Sequence, residues 1–506
     1  MSNSRVALCL SGLIVIMLAS FGCGAGNYTP PLTAVAATSN PLVASYNIRH
    51  FQPLTSWVEF GIDTTYGRET SVITDSVTAP DGHILRILVA GMKPQTTYHM
   101  RAHVDWSGGS FIDQDHTFTT GVLPASLVPP GITVTRPTPN LSPSPGVELL
   151  SLIAPANSNV LQPVVVDLQG NVVWYYPLGA FPVKTMLNGH FMLLLLDGHL
   201  REVDLAGTTI RDVSLAQVNQ SLQKNGYSFV ILNFTHDVLT LPNGHWITIG
   251  LISKNFTDLP GYPGTTNVGA DALVDIDPTG NVVWAWSSFD HLDVNRHPYF
   301  GLPDWTHSNA LAYTSDGNLL LSTRAQSWIL KIDYANGTGS GNVLWKLGED
   351  GDFTLLGGDP SQWFYAQHYP NILNVDGSQT TMAVYDDGNY RIDSDGIACG
   401  STTSAPACYS RATIFQIDES TNIATLLWQY SPGFYSFWGG SIGELSNGDV
   451  EFDSSEPFPA APAASQITEV TQTENPQTVW QMTIAGANAY RGYRIPSLYP
   501  GVTWLQ

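Results

Sequence analysis

VVVDLQGNVVWYY at residues 164–176 and ALVDIDPTGNVVWAW at 272–286 follow one plan: an apolar strand ending in an acidic residue, a short turn, then a strand ending near Trp. Looser copies are ILKIDYANGTGSGNVLWKL (329–347), IFQIDESTNIATLLWQY (414–430) and ITEVTQTENPQTVWQM (467–482), and LREVDLAGTTIRDV (200–213) is a sixth without the Trp. Between them lies a second hairpin type, built on a tight turn: MLNGHFMLLL (186–195), LTLPNGHWITI (239–249), AYTSDGNLLLS (312–322), LNVDGSQTTMAV (373–384) and ELSNGDVEFDS (444–454). Asn-Gly and Asp-Gly favour hairpins because both residues tolerate positive φ. Two hairpins make a four-stranded blade, so the recurrence predicts an all-β fold with a six-bladed β-propeller over residues 149–500. Six units over roughly 350 residues are about 58 residues each, longer than common propeller repeats, so inserted loops are expected. The unit at 150 lacks its first hairpin, and AYRGYRIPSLYP (489–500) is a strand without partners. Pairing the two would close the ring.

Upstream, residues 40–121 alternate as strands in TSWVEFGI, HILRILVAGM and TTYHMRAHVDW. This module resembles a fibronectin type III or immunoglobulin-like β-sandwich, with Pro94 turning the chain and Tyr98 packed at a corner. Residues 122–148, which include PASLVPPGITVTRPTPNLSPSPG, read as a Pro-rich linker, since proline is kept out of sheet interiors. Charged residues are 12% of the 506, while Gly (46), Pro (33), Trp (14) and Tyr (21) are plentiful, as many short strands and tight turns require. The net charge of -22 sets nucleic acid aside as a partner, because no excess of Lys or Arg exists to displace phosphate counterions.

Residues 1–23 read as a signal peptide, with Arg5 as the positive region and Val6 to Phe21 as an apolar stretch. Cys23 after Gly22 resembles a bacterial lipoprotein cleavage site; lipid anchoring there and plain secretion both remain open. Either way the expectation is an exported chain, periplasmic or at the outer membrane or cell surface. Removal of this segment leaves Cys399 and Cys408 as a pair, expected to form a disulfide in an oxidising compartment, with a two-cysteine metal site as the competing reading.

Three turn hairpins are preceded by histidine: FTHDVLTLPNG, WTHSNALAYTSDG and AQHYPNILNVDG, which carry His236, His307 and His368. First strands of blades line the central channel, so equivalent positions converge on the axis. The offsets from histidine to the turn's Asn or Asp are seven, nine and eight residues, a difference assigned to the turns. Asn309 shares a face with His307, and Arg324 comes opposite across the hairpin. A cation, an amide and three imidazoles at one mouth suggest an anion site beside a nucleophile or acid–base group. Any single histidine on a strand is more often structural, which is the reading for His190, His199 and His245. Three imidazoles could also ligate Zn²⁺, which Arg324 argues against by its charge. Two further readings stay in competition: a non-catalytic propeller binding carbohydrate or protein, and a metal-dependent lyase or hydrolase.

On FTHDVLTLPNG, DWTHSNALAYTSDGN, STRAQSWILKID, AQHYPNIL, VYDDGNYR and CYSRATIFQIDE, the chain resembles the bacterial arylsulfate sulfotransferases, enzymes that work without PAPS. The resemblance implies an aryl sulfate donor, a phenolic acceptor, no cofactor or metal, and a ping-pong transfer through a sulfohistidine. It implies His368 as the nucleophile, His307, Asn309 and Arg324 as ligands of the sulfuryl oxygens, and His236 as acid and base on the phenolic oxygen. A homodimer is left open. The cysteine pair falls after His368, where the family's disulfide precedes its nucleophile. Asp386 is the candidate for orienting His368, and Trp305, Tyr365, Tyr369, Phe437 and Trp438 are candidates for stacking on an aryl group.

Overall fold

The computed structural model describes residues 31–127, 131–155, 159–297, 299–392, 396, 398–400, 408–456 and 464–505. The signal-peptide segment and Cys23 lie outside them. Strands account for 51% of the chain and helices for 5%, so the all-β expectation holds.

Six sheets follow one another along the chain, antiparallel except where Thr354–Leu355 adds in parallel to the outer edge of the fourth. The first four begin with Ala180–Thr185, Asn233–Thr240, Ser308–Tyr313 and His368–Asp376, and each continues outward through the next three long strands in sequence order. The fifth runs Ser441–Glu444, Val450–Ser454, Ala464–Val470, Thr478–Ala485. In the sixth, Asn488–Ile495 pairs with Val147–Ile153, Val147 opposite Ile495, and that strand leads out to Val164–Asp167 and Val172–Tyr175. The C-terminal strand thus completes the incomplete N-terminal unit, as expected from the orphaned 489–500 segment. Starting strands of successive sheets pack against one another, and the sixth sheet meets the first through Val147–Ile153 against Ala180–Thr185. A cavity of 510 Å³ is lined by residues from all six starting strands, among them Lys184, Leu239, Leu311, Asn371, Ile442 and Tyr493.

The recurring motif now has a physical cause at each end. Its acidic residue caps its own turn: Asp167 Oδ1 accepts the backbone N–H groups of Gln169 and Asn171, and Asp277 Oδ1 accepts those of Thr279 and Asn281. These are Asx turns, in which a short carboxylate supplies the acceptor a sharp turn lacks. The Trp reaches into the next sheet. Trp174 donates its indole N–H to Leu205 O at 2.8 Å, Trp286 to Gly341 O at 2.9 Å, Trp428 to Thr473 O at 3.2 Å and Trp480 to Leu168 O at 3.1 Å. In the copy without Trp, Arg211 takes over: it donates to Gly244 O and lies over the Trp246 ring of the next sheet.

The N-terminal module has two sheets, one of Leu32–Ala37, Ala44–His50 and His83–Val89, the other centred on Leu54–Gly61 and Thr97–Trp106. Its first strand begins before residue 40. Tyr98 is buried and accepts the Lys93 N–H at 3.0 Å. The 122–148 segment does more than connect: Gly131–Thr135 adds an outer strand to the fifth sheet, where an edge tolerates the prolines that follow. Nor do the module and the sheets stand apart. Val58, Phe60 and Tyr98 belong to one apolar cluster with Leu149, Trp174, Tyr499 and Trp504, and the tail is sewn on by Tyr499 Oη to Leu88 O and Trp504 Nε1 to Glu69 O.

Candidate functional site

The turns of the first two histidine hairpins are the same. Leu241 N–H bonds to His245 O and Gly244 N–H to Leu241 O; Thr314 N–H bonds to Asn318 O and Gly317 N–H to Thr314 O. Turns therefore do not absorb the uneven offsets, contrary to expectation. Bulges in the strands do. Pairing skips between Thr235 and Val238, between Ser308 and Ala310, and twice in the third strand, at His368/Asn371 and Ile372/Asn374. His236 (φ 54), His307 (φ 45) and Tyr369 (φ 49) sit in the left-handed region at these bulges. For residues with a Cβ this costs on the order of 1–3 kcal/mol each and persists where the surroundings enforce it. At His307 the enforcing group is Asp271, whose Oδ2 takes both the Thr306 hydroxyl and the Ser308 N–H at 2.6 Å.

The bulges bring the histidines together at the starting ends of their strands. The rings of His236 and His307 are 4.8 Å apart, and Tyr490 lies 6.1 Å from His236 and 5.8 Å from His368, bridging them. Arg324 N–H donates to His307 O at 3.2 Å, which confirms its place opposite His307 across the hairpin. Its guanidinium donates to Phe437 O at 2.7 Å and lies 4.6 Å from the Phe300 ring centre. Asn309 donates its amide to Gln367 O at 2.7 Å, beside His368.

His368 is held from both sides. Nδ1 lies 2.5 Å from Asp387 Oδ2, and Gly439 N–H points at Nε2 from 3.3 Å. An N–H aimed at Nε2 requires a lone pair there, so the ring proton sits on Nδ1, facing Asp387. Burial pushes the His368 imidazole well below its usual range, and the charges of Arg324 and Arg491 push it further. Burial raises the Asp387 carboxyl, against the pull of Arg324. Both directions favour the uncharged form of each group over an imidazolium–carboxylate ion pair. His236 is likewise held low, by burial first and then by His307, Arg491 and Arg324. His307 is the more open ring, its Nδ1 2.5 Å from Asp304 Oδ2. Burial alone would raise the Asp304 carboxyl, yet the His307 bond and the Arg324 charge leave it lowered.

Beneath this layer Arg491 is fully buried, ion-paired to Asp237 at 3.2 Å and donating to Asn309 O and Tyr493 Oη. Lys184 pairs with the same Asp237 at 2.5 Å. The 510 Å³ cavity lies on the far side of this plug and includes none of the three histidines. Buried polar atoms without a partner among the described residues gather at the site: His236 Nδ1, Asn309 Oδ1, Arg324 Nε, Asp387 Oδ1 and Tyr490 Oη. Buried polar groups are normally satisfied, so such a concentration marks a place where a polar ligand supplies the missing bonds.

Asp386 does not orient His368. It is buried in an ion-paired network with Arg391 and Arg411 and accepts the Tyr365 N–H, while its neighbour Asp387, on the opposite face of an extended chain, takes the histidine. Sequence reading also missed Arg491 and Tyr490, whose strand was read only as a ring-closing element. Of the aromatic candidates, Trp305 and Tyr365 pack in cores, Tyr369 stacks toward Tyr493 below the site, and Trp438 bonds Glu456. Phe437 is half-buried at the mouth beside Phe181, which lies 6.1 Å from His236. His190, His199 and His245 are each bonded to a carboxylate, Glu202, Asp212 and Asp275, away from this cluster. Cys399 and Cys408 form a disulfide that packs against Tyr435 and Phe437, behind the carbonyl that holds Arg324.

A search of curated proteins gives no match. Solved structures similar in part include a streptogramin B lyase (10% identity, 70% of this chain and 98% of that one, TM-score 0.29) and BamB from Moraxella catarrhalis (13%, 70% and 97%, 0.28). A duf4221 family member from Bacteroides vulgatus is a third (8%, 73% and 98%, 0.32). The arylsulfotransferase (ASST) family model matches residues 143–494, a span that holds all three histidines, Asn309, Arg324, Tyr490 and Arg491. The match covers well over half of the chain, and the chain belongs to that family of sulfotransferase enzymes.

Proposed function

We propose that this enzyme moves a sulfuryl group from an aryl sulfate ester to a phenol through a sulfohistidine at His368, in two ping-pong steps and without PAPS. The observation that carries the reading is the His368 environment: a neutral imidazole with its Nε2 lone pair free to attack, anchored at Nδ1 by Asp387, in a pocket of unpaired polar atoms. In the first step Nε2 bonds to sulfur as the S–O bond to the aryl oxygen breaks, and the phenolate leaves. The ring gains positive character, which the Asp387 carboxylate offsets through Nδ1–H. Gly439 N–H, released from the lone pair, becomes free to donate to a sulfuryl oxygen. Arg324, His307 and Asn309 donate to the others. Charge on peripheral oxygens dominates a loose in-line transfer, so fixed donors are the main catalytic device.

In the second step His236, kept neutral by burial and nearby cations, takes the proton of the incoming phenol, whose oxygen attacks sulfur and frees His368. Phe181, Phe300 and Phe437 ring the mouth and suit an aryl group. In this reading the six sheets are the blades of a six-bladed β-propeller, supported by the cavity that all six starting strands line, and residues 32–121 are a fibronectin III or immunoglobulin-like sandwich. Export to the periplasm or cell surface, by lipid anchor at Cys23 or plain secretion, is supported by the apolar segment after Arg5 and by the Cys399–Cys408 disulfide.

The test is incubation with 4-nitrophenyl sulfate and a phenol, without nucleotide. Release of 4-nitrophenol, transfer to the phenol, and a mass gain of one sulfuryl group on His368 when the acceptor is withheld are expected. His368→Ala should lose all three; a His368→Ala enzyme with full activity would overturn the mechanism.

A further inference from the structure

A second group of histidines stands at a corner of the N-terminal module. His50 ends the strand Ala44–His50 and lies directly opposite His83, the first residue of His83–Val89. Residues so paired point to the same face, and the two rings are 5.4 Å apart and nearly perpendicular. Beyond His50 the chain turns and enters the other sheet at Leu54, which pairs with Asp75. The turn therefore delivers a carboxylate from one sheet to two imidazoles of the other. Nε2 of His50 and Nε2 of His83 each lie 3.2 Å from the same oxygen, Asp75 Oδ2, and the three atoms fall within 4.8 Å of one another.

The surrounding hydrogen bonds restrict what this corner can hold. His50 Nδ1 is 2.8 Å from Gln52 O, and a carbonyl can only accept, so Nδ1 carries the proton. In the neutral ring Nε2 is then a lone pair facing a carboxylate oxygen. Two acceptors so close repel unless a cation joins them. Donation of Nδ1–H to a carbonyl, with Nε2 turned inward, is how proteins commonly hold a metal-ligating histidine. Asp75 Oδ1 is occupied by the Val77 N–H at 2.9 Å, which fixes the carboxylate and leaves Oδ2 as its ligand atom. Ligands bonded to a tetrahedral ion at about 2.0–2.1 Å stand about 3.4 Å from each other, close to the separations at Asp75. Two imidazoles suit Zn²⁺ and disfavour Ca²⁺ and Mg²⁺, which prefer oxygen.

We propose that His50, Asp75 and His83 bind one Zn²⁺, with water in the fourth position. Both imidazoles come from one sheet and the carboxylate from the other, so the ion clips the module's two sheets together at the turn. The role is structural, and it is independent of the sulfuryl-transfer site.

The full chain, stripped with a chelator and re-equilibrated with zinc chloride, should retain one zinc per molecule and melt at a higher temperature than without the metal. His83 has 43% of its side chain exposed, so His83→Ala can be made without opening the core. That variant should lose the bound equivalent and the zinc-dependent rise in melting temperature, and with Co²⁺ it should lack the visible bands of a tetrahedral site that the parent shows. His307→Ala should keep its zinc. A parent that retains no zinc, a His83→Ala protein that retains it, or a His307→Ala protein that loses it would each overturn the proposal.

Discussion

Asp386 and Asp387 adjoin in sequence and serve different ends, and their substitution separates chemistry from stability. Asp387→Asn keeps the shape beside His368 but removes the carboxylate that faces Nδ1–H. We expect kcat to drop by about 100-fold, with the melting temperature little changed. Asp386→Asn leaves Arg391 and Arg411 buried beside a neutral amide; about 3–5 kcal/mol of stability should go, read as a lower denaturant midpoint. If the two variants gave the reverse pattern, the assignment of Asp387 to His368 would be wrong. The pH dependence follows from the same burial. His236 and His368 are held below the imidazole range, so near pH 6.5 the unfolded chain binds protons that the native state does not. The stability linked to these rings is present above the unfolded value and is lost as pH falls from about 6.5 through the lower native values. For the same reason the acid limb of kcat/KM should lie below about pH 6.5, and a limb at or above that value in a pH–rate profile would count against a neutral buried His368.

At the scale of the element, the recurring Trp acts between sheets. Trp480 is almost wholly buried, and its indole bonds a carbonyl of the neighbouring sheet. Trp480→Phe fills most of the volume but strands the Leu168 carbonyl, so a loss of about 1–3 kcal/mol is expected in a denaturant melt. An unchanged midpoint would mean that the latch contributes only packing. The bulges work at this scale as well. Strand pairing is interrupted beside both His236 and His307, and each takes a left-handed backbone there, so where the two rings face is set by the bulges and not by simple alternation along the strand. The histidine spacing was visible in the sequence, but its conversion into a common facing was not, because a bulge leaves no local signature when the residue is His or Tyr rather than Gly.

For the whole molecule, the last strand ties the two ends of the chain together. Asn488–Ile495 supplies the starting strand of the sixth sheet, contributes Tyr490 and Arg491 to the site, and leads into the tail whose Tyr499 and Trp504 bind the N-terminal module. A chain ended after residue 485 loses all three functions. It should express without a cooperative unfolding transition, and a truncated protein that melted as sharply as the full chain would show that the pairing of the last strand is dispensable. The shared apolar cluster also means that the N-terminal module unfolds with the sheets it touches, and not as a free spacer.

Much of this was legible in one dimension. Strands, Asx-capped turns and tight hairpins are local, encoded within a few residues, so the repeat, the pairing of residues near 150 with those near 490, and the family could be read directly. His236, His307, Asn309, Arg324 and His368 carried enough pattern to be chosen. The tertiary structure decided which carboxylate grips His368, which ring is buried and which is open, and that Tyr490 and Arg491 complete the site. The approach of Tyr490 and Arg491 joins strands more than a hundred residues apart, while the grip on His368 comes from the end of the neighbouring strand, 19 residues on, beside a bulge that interrupts the pairing. At that precision the choice between Asp386 and Asp387 passes from the sequence to the packing.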